Sequence, residues 1–134
     1  QVRQIECAKA LYNAMGVERG NKAERKQALL RNYEFFGAPH VAIICMPKSF
    51  EINNALDIGI YLQSLMLIME SFGIGSCAQG ALSFYPQIIK DTLNIPESMG
   101  VLVGLSFGYE DKSQLANNAR TSRAMLSDSV TFLS

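Results

Sequence analysis

The sequence has little of the chemistry that hydrolytic and metal-dependent sites require. Its 134 residues include a single histidine, His40, and no tryptophan. The three cysteines, Cys7, Cys45 and Cys77, are irregularly spaced and form no CxxC pair, so a zinc site is not expected. No Ser-His-Asp set, paired-carboxylate site or P-loop is visible. The sequence therefore predicts neither a metal site nor a catalytic side-chain set.

An excess of charge of either sign is also lacking. Lysine plus arginine and aspartate plus glutamate both number 12, and the net charge is about zero. Without a positive field there is little to attract phosphate, so we expect no nucleic-acid partner and no membrane-surface partner. The most apolar run, from Ile58 to Met69, is too short for a membrane span.

Signals of secretion are missing as well. An odd number of cysteines suits a reducing compartment better than a disulfide-stapled secreted domain. The N-terminal stretch lacks the apolar core and the cleavage site of a signal peptide, so the expected localisation is cytoplasmic. The chain begins without methionine, in what looks like the interior of a helix. We therefore expect a single domain over residues 1–134 that is incomplete at its N terminus.

Hydrophobic periodicity and turn residues predict an α+β arrangement. A serine at position 83 is interpreted as the N-cap of the fourth helix, since its hydroxyl can accept from a first-turn amide. The β-branched run over residues 41–46 is typical of a buried strand. The predicted elements are helices over residues 4–15, 22–36, 53–72 and 84–93, and extended segments over residues 41–46, 76–80 and 99–107.

The helix predicted over residues 53–72 is apolar on almost every side. Such a helix must be buried on every side. A chain this small has too little mass to cover it, so the pattern indicates that a partner subunit packs against it.

Several sequence phrases resemble those of the FMN-dependent nitroreductase family, and in particular its nitrobenzoate-reductase-like branch. Each phrase alone is weak, but together they occur in family order and at family-like spacing over nearly the whole chain. They match the C-terminal two-thirds of the family pattern. In chain order they are Asn32-Tyr33-Glu34-Phe35-Phe36-Gly37-Ala38-Pro39, Asp57-Ile58-Gly59, Leu62-Gln63-Ser64-Leu65-Met66-Leu67, Gly73-Ile74-Gly75-Ser76-Cys77-Ala78-Gln79-Gly80-Ala81, Leu93-Asn94-Ile95-Pro96, Phe107-Gly108-Tyr109 and Asn118-Ala119-Arg120-Thr121-Ser122-Arg123-Ala124.

The resemblance implies a sandwich of helices around a mainly antiparallel sheet. It also implies a homodimer in which the long helix packs across the two-fold axis, with FMN at the subunit interface. The implied activity is ping-pong hydride transfer, in which NAD(P)H reduces the flavin and the flavin then reduces a nitroarene, quinone or similar small acceptor.

The resemblance places the flavin ring beside Ala78, Gln79, Gly80 and Ala81, with the Gly80 main-chain amide donating to flavin N5. A fixed donor at the hydride-accepting atom polarises it at little reorganisation cost. No side chain is assigned a catalytic role. The family usually carries a glutamate where this chain has Gly80. On spacing alone, the same loop is better explained as a helix stop that leads into an edge strand.

Arg123, supported by Arg120, is the implied ligand of the FMN phosphate. A guanidinium group suits phosphate because its fork donates two parallel hydrogen bonds while staying charged. Without the resemblance, the pair would be interpreted as solvated surface charges. Cys77 is interpreted as a small buried apolar residue.

Two alternatives remain open at this stage. The family's N-terminal flavin-binding segment, with its arginine- and serine-containing helix start, has no counterpart here. A flavin-free, catalytically inactive dimerisation remnant would therefore fit the sequence. A relative that uses the same fold for reductive dehalogenation or flavin breakdown would fit as well.

Overall fold

A computed structural model of the chain describes residues 2–133. Its contacts divide the chain into two compact units. Residues 26–110 form the first, here called the sheet unit. The segments up to Arg25 and from Asp111 onward form the second, here called the terminal unit. The prediction of a single domain over residues 1–134 stays a prediction.

The sheet unit is built on three antiparallel strands, β1 (His40–Pro47), β2 (Gly75–Gln79) and β3 (Met99–Gly108). The strand order is β1-β3-β2, with β3 in the centre. The core lies along β3, where Leu105 is fully buried. All three predicted extended segments are thus confirmed, and the α+β class with an antiparallel sheet is confirmed with them.

The first strand differs from its prediction. β1 was expected to be a buried strand because of its continuous β-branched run, but it is an edge strand and none of its residues is buried. A shift in register between Ile44 and Cys45 interrupts its pairing with β3. An apolar run does not by itself distinguish a strand buried on both faces from one at an edge.

Residues 2–133 also contain four α-helices. The two at the N-terminal end are α1 (Val2–Ala14) and α2 (Lys22–Leu30). The long helix α3 covers Ile52–Ser71, and α4 covers Pro86–Leu93. The predictions for α1 and α3 are correct to within two residues at each end. At the start of α3, Asn54 Oδ1 accepts a hydrogen bond from the Glu51 amide at 3.2 Å, an N-terminal cap that sequence patterns did not reveal.

The second helix is shorter than predicted. It was expected to continue to Phe36, but the α-helix ends at Leu30 and a 3-10 helix follows over Arg31–Gly37. Phe35 (φ 52°) and Phe36 (φ 55°) adopt left-handed backbone conformations, which cost about 1–2 kcal/mol per non-glycine residue. Two successive bulky residues in this region are unusual, and such strain persists only where the surroundings enforce it.

The fourth helix begins later than predicted, and Ser83 is not its N-cap. Gly80–Phe84 forms a separate 3-10 helix, and the Ser83 hydroxyl donates to the Gly80 carbonyl at 2.8 Å. The α-helix starts at Pro86, because proline is favoured at the first helical position, where no backbone N–H is needed.

A buried lysine joins α4 to the chain that precedes β3. The Lys90 side chain is 5% exposed, and its Nζ lies 3.2 Å from Glu97 Oε2. Lys48 pairs with the same carboxylate. Hydrogen bonds from Lys48 and then Lys90 lower the pKa of Glu97. Because an almost fully buried ammonium requires a partner, this lysine is a structural residue.

Helix α3 has no buried residue within this chain. It is the one helix among residues 2–133 that is long and apolar enough, by length and composition, to cross a membrane. A core helix of a soluble protein has the same composition when another part of the assembly covers it.

One glycine of the central strand is required by packing. A Cβ added at Gly104 would lie 2.1 Å from Leu82 Cδ1 and 3.2 Å from Leu82 Cγ. Leu82 is 3% exposed and belongs to the 3-10 helix that follows β2. The absent side chain at Gly104 therefore lets this short helix pack directly on the sheet.

Gly104→Ala should lower the free energy of unfolding by about 1–3 kcal/mol, the usual cost of overpacking. Leu82 is only 3% exposed, so its side chain would have to move within a packed environment. Chemical denaturation of the two proteins measures the difference. Gly100→Ala is the matched control on the same strand, since its nearest neighbour, Met46 O, is at an ordinary 3.6 Å. Equal losses in the two variants would contradict the packing argument.

Candidate functional site

The predicted flavin-edge loop is a turn in the sheet unit at which β2 becomes a 3-10 helix. β2 ends at Gln79, and the helix begins at Gly80. The first amides of a helix have no acceptor inside that helix, so the Gly80 N–H is not used by the helix that starts there. No atom lies within 4 Å of a Cβ built at Gly80. The backbone at this turn is therefore open to a ligand.

The four predicted ring-contact residues differ in exposure. Ala78 and Gly80 are exposed, Ala81 is half-buried and Gln79 is buried. The Gln79 side-chain amide turns inward, and its Nε2 donates to the Asn32 carbonyl at 2.9 Å. Of these four residues, only Gln79 has a polar side chain, and that side chain is engaged inside the protein. Contact with a ligand at this turn thus falls to backbone groups and methyl groups.

An aromatic segment lies next to the turn. The Tyr33 ring meets the Tyr85 ring edge-on, with centroids 5.6 Å apart and planes at 70°. Tyr33 belongs to the 3-10 helix Arg31–Gly37, which also carries the left-handed Phe35 and Phe36. The sequence showed an aromatic cluster but gave no signal of its strained backbone or of its proximity to the Gly80 turn.

Cys77 was interpreted as a buried apolar residue, and this is wrong. Its side chain is exposed, although Gln79, two residues further along β2 and on the same face, is buried. Desolvation by the surrounding chain nevertheless raises the pKa of the Cys77 thiol. A raised pKa keeps the group protonated near neutral pH, and the thiol is a poorer nucleophile than the thiolate.

Arg120 and Arg123 lie in the terminal unit, in a cleft of about 580 Å³. A third arginine, Arg3 of α1, lines the same cleft, together with Glu6 and Asp128. Arg3 lies 3.5 Å from Asp128, and both side chains are more than half exposed, so this pair is worth little. The sequence gave no reason to group Arg3 with the two C-terminal arginines, because more than a hundred residues separate them.

Most of the donor groups of the two predicted phosphate ligands are not engaged by the chain. Arg120 Nη1 donates to the carbonyls of Asn117 and Ala119. Arg123 Nη1 donates to the Thr121 carbonyl and hydroxyl, each at 3.1 Å. Within residues 2–133, the described hydrogen bonds of both side chains use only this one nitrogen. Nε and Nη2 of each guanidinium group remain to bind an anion.

The remaining candidates do not form a catalytic set. His40 stacks on Phe107 with ring centroids 5.4 Å apart, a packing contact. The described part of the chain holds no cluster of three or more potential metal ligands. What the two units offer is recognition: an open backbone turn with small side chains in one, and an arginine-lined cleft in the other.

These features fit FMN in two separate respects. An open Gly80 backbone flanked by alanines suits close approach to a flat ring. Two guanidinium groups with free donors suit a phosphate ester. Each fit is local to its own unit.

A family comparison identifies the fold more closely. The model of the nitroreductase family matches residues 5–109, which include the Gly80 turn. "Nitroreductase NfnB" of Mycolicibacterium smegmatis is 39% identical over 132 residues, covering 98% of this chain and 56% of that protein. A "4-nitrobenzoate reductase" of Pseudomonas putida is 30% identical over 131 residues, covering 98% of this chain and 58% of that protein. The chain thus spans somewhat more than half the length of these curated relatives.

Solved structures agree with this assignment. The FMN-dependent nitroreductase NfnB from Mycobacterium smegmatis, crystallised in complex with NADPH, superposes with a TM-score of 0.94 at 38% identity, covering 100% of this chain and 60% of that one. The FMN and NADPH-dependent nitroreductase NfnB from sphigopyxis sp. strain HMH gives a TM-score of 0.96 at 26% identity, covering 99% of this chain and 60% of that one.

Proposed function

Since the chain belongs to the nitroreductase family, we propose that it is part of an FMN-dependent oxidoreductase that uses NAD(P)H to reduce nitroaromatic, quinone or similar acceptors. The observation that carries this proposal is the family match over residues 5–109, within which the Gly80 turn is open at its backbone. The names of the relatives, which specify nitroreductase activity, FMN and NADPH, support the same assignment.

In this proposal the protein binds and orients the cofactor, and none of its side chains donates or accepts a proton in the reaction. FMN, when bound, supplies the chemistry of hydride transfer between NAD(P)H and the acceptor. Ala78 and Ala81 would flank the ring and the Gly80 N–H would donate to flavin N5, while the Gln79 side chain lies inside the protein. Arg123, with Arg120, would hold the phosphate. Because both substrates react at the same atom of one cofactor, we expect ping-pong kinetics.

We also propose that the protein is a homodimer built on α3. Three exposed side chains, Leu56, Ile60 and Leu67, are 64%, 59% and 62% exposed. Their spacing of four and seven residues places them on one face of the helix, here called the apolar stripe. An exposed row of large aliphatic groups favours association with a second copy. We further propose that the protein is soluble and cytoplasmic, and that both units belong to one nitroreductase-like domain.

The visible spectrum of the purified protein tests the proposal most directly. Bound oxidised flavin makes the protein yellow, whereas a flavin-free dimerisation remnant is colourless. The measurement should be made after adding FMN both to this chain and to a protein extended at its N terminus to the length of its relatives. Failure of both to bind FMN would leave the remnant as the better description.

Arg123→Ala should weaken FMN binding by about 1.5–3 kcal/mol, the usual worth of a hydrogen bond to a charged group. Riboflavin, which has no phosphate to lose, should bind with unchanged affinity. Fluorescence titration of both ligands against both proteins measures the two dissociation constants. Arg19→Ala, which removes an exposed arginine outside the cleft, is the matched control. Equal weakening of FMN and riboflavin would remove Arg123 from the phosphate site.

A further inference from the structure

The most deeply buried polar side chain of the sheet unit stands at the candidate site. Gln79 is 2% exposed, and with Leu105 it is among the largest fully buried side chains. Its Nε2 donates to the Asn32 carbonyl, whereas its Oε1 is buried and has no hydrogen-bond partner within residues 2–133. A buried amide with one unsatisfied atom stabilises the fold less than an apolar side chain of the same shape would. Fold stability alone therefore does not explain a glutamine at this position.

The hydrogen bond of Gln79 joins two segments that lie 47 residues apart in the sequence. On one side is the 3-10 helix Arg31–Gly37, which carries Tyr33 and the two left-handed phenylalanines. On the other side is the end of β2, immediately before Gly80. The edge-on pair of Tyr33 and Tyr85 makes a second connection beyond the turn. The short helix Gly80–Phe84 is thus held at both ends by the same aromatic segment.

We propose that Gln79 is a positioning residue, whose buried side chain fixes the Gly80 amide relative to the aromatic segment Tyr33–Phe36. The inference rests on the proposed function, because the amide is assigned to the flavin edge there. Gln79 itself does not touch the cofactor. It sets the direction of the backbone donor next to it and holds the strained aromatic segment in place as a wall of the same site. The Leu82 side chain packs against Gly104 of β3 and so holds the Gly80 turn against the sheet.

The matched variant is Gln79→Met, which keeps the length of the side chain, removes the donor and removes the unpartnered Oε1. The variant should be about as stable as the parent, because the unsatisfied Oε1 is removed while the half-buried Asn32 carbonyl loses its donor. In the flavin-free chain, amide hydrogen exchange should rise about two- to tenfold, the fold-change for loss of one neutral hydrogen bond. The rise should occur together at Asn32–Phe36 and at Gly80–Ser83, and helix α4 should stay at the parent rate.

The second measurement uses the FMN-loaded protein. Gln79→Met should shift the flavin absorption band or reduction potential and should slow flavin reduction by NAD(P)H about ten- to a hundredfold, since small misplacements have effects of that size. A purely packing role predicts neither change, because methionine fills the same volume. Gln79→Leu takes the place of the methionine variant if the latter does not fold.

The outcomes separate the two proposals. If amide hydrogen exchange stays at the parent rate, or rises in only one of the two segments, Gln79 does not join them. Raised exchange with an unchanged flavin band and rate overturns the positioning role and leaves the proposed function intact. If the parent protein binds no FMN, the proposed function fails and the positioning role fails with it, while the exchange data still decide whether Gln79 joins the two segments.

Discussion

Leu67→Asp should convert the proposed dimer into a folded monomer. Leu67 is 62% exposed within one chain, so a charge there costs the isolated subunit little. In the proposed dimer, the apolar stripe of one α3 would meet its symmetry mate, where a charge buried without a partner costs about 3–5 kcal/mol. Two-fold symmetry introduces that charge twice. The combined cost is of the same order as the binding energy of a micromolar complex.

Analytical ultracentrifugation over a range of concentrations measures the change, and far-UV circular dichroism checks that the variant keeps its helices. The matched control is Ile88→Asp on α4, which is equally exposed at 65% but lies outside the apolar stripe. It should remain dimeric. If Leu67→Asp dimerised like the parent, the interface would lie elsewhere and the exposed α3 face would need another explanation.

Much of the secondary structure could be predicted because it depends on local periodicity. Three patterns each predicted an element to within a few residues. They are the β-branched run of β1, the glycine-rich apolar run of β3 and the twenty-residue apolar pattern of α3. What the pattern could not decide was which strand is central. The hydrophobic runs of β1 and β3 look alike, but only β3 has partners on both sides.

Helix ends were predicted less well, because different local signals compete there. Ser83 has the chemistry of an N-cap, yet Pro86 three residues later sets the start of α4. At the end of α2, the proline at position 39 indicated a stop, but the change to a 3-10 helix already at Arg31 and the left-handed pair Phe35-Phe36 have no local sequence cause. Two contacts of this segment, from Asn32 to Gln79 and from Tyr33 to Tyr85, reach residues far along the chain.

The side-chain contacts of the candidate site were beyond sequence reasoning for the same reason. Gln79 was predicted as a cofactor-binding residue of the flavin-edge loop, and that stays a prediction. Its inward orientation toward Asn32 depends on a segment 47 residues away. Residue types and spacing can predict which loop binds a ligand, but which groups of that loop are available to the ligand depends on the tertiary structure.

Gly80→Pro should slow flavin reduction by NAD(P)H about 10²- to 10³-fold, the usual effect of removing one backbone-type donor from a reacting atom. Proline has no N–H, so the proposed hydrogen bond to flavin N5 is lost. The variant should still fold, because residue 80 is the first residue of a 3-10 helix, a position that accepts proline. Gln79, the residue before it, has a backbone conformation (φ −114°, ψ 88°) outside the helical region that proline disfavours in its neighbour.

The controls separate the amide from the side chain. Gly80→Ala keeps the N–H and adds a methyl group into open space, and Gly80→Glu restores the carboxylate that the family usually carries. Both should reduce flavin at close to the parent rate, because the donor is a main-chain group. Stopped-flow bleaching of the flavin band by NAD(P)H, in a protein extended to the length of its relatives, measures all four rates. A Gly80→Pro protein that folded, bound FMN and reduced it at the parent rate would show that the amide has no role at N5. The segment from Gly73 to Ala81 would then be only the connection between α3 and an edge strand.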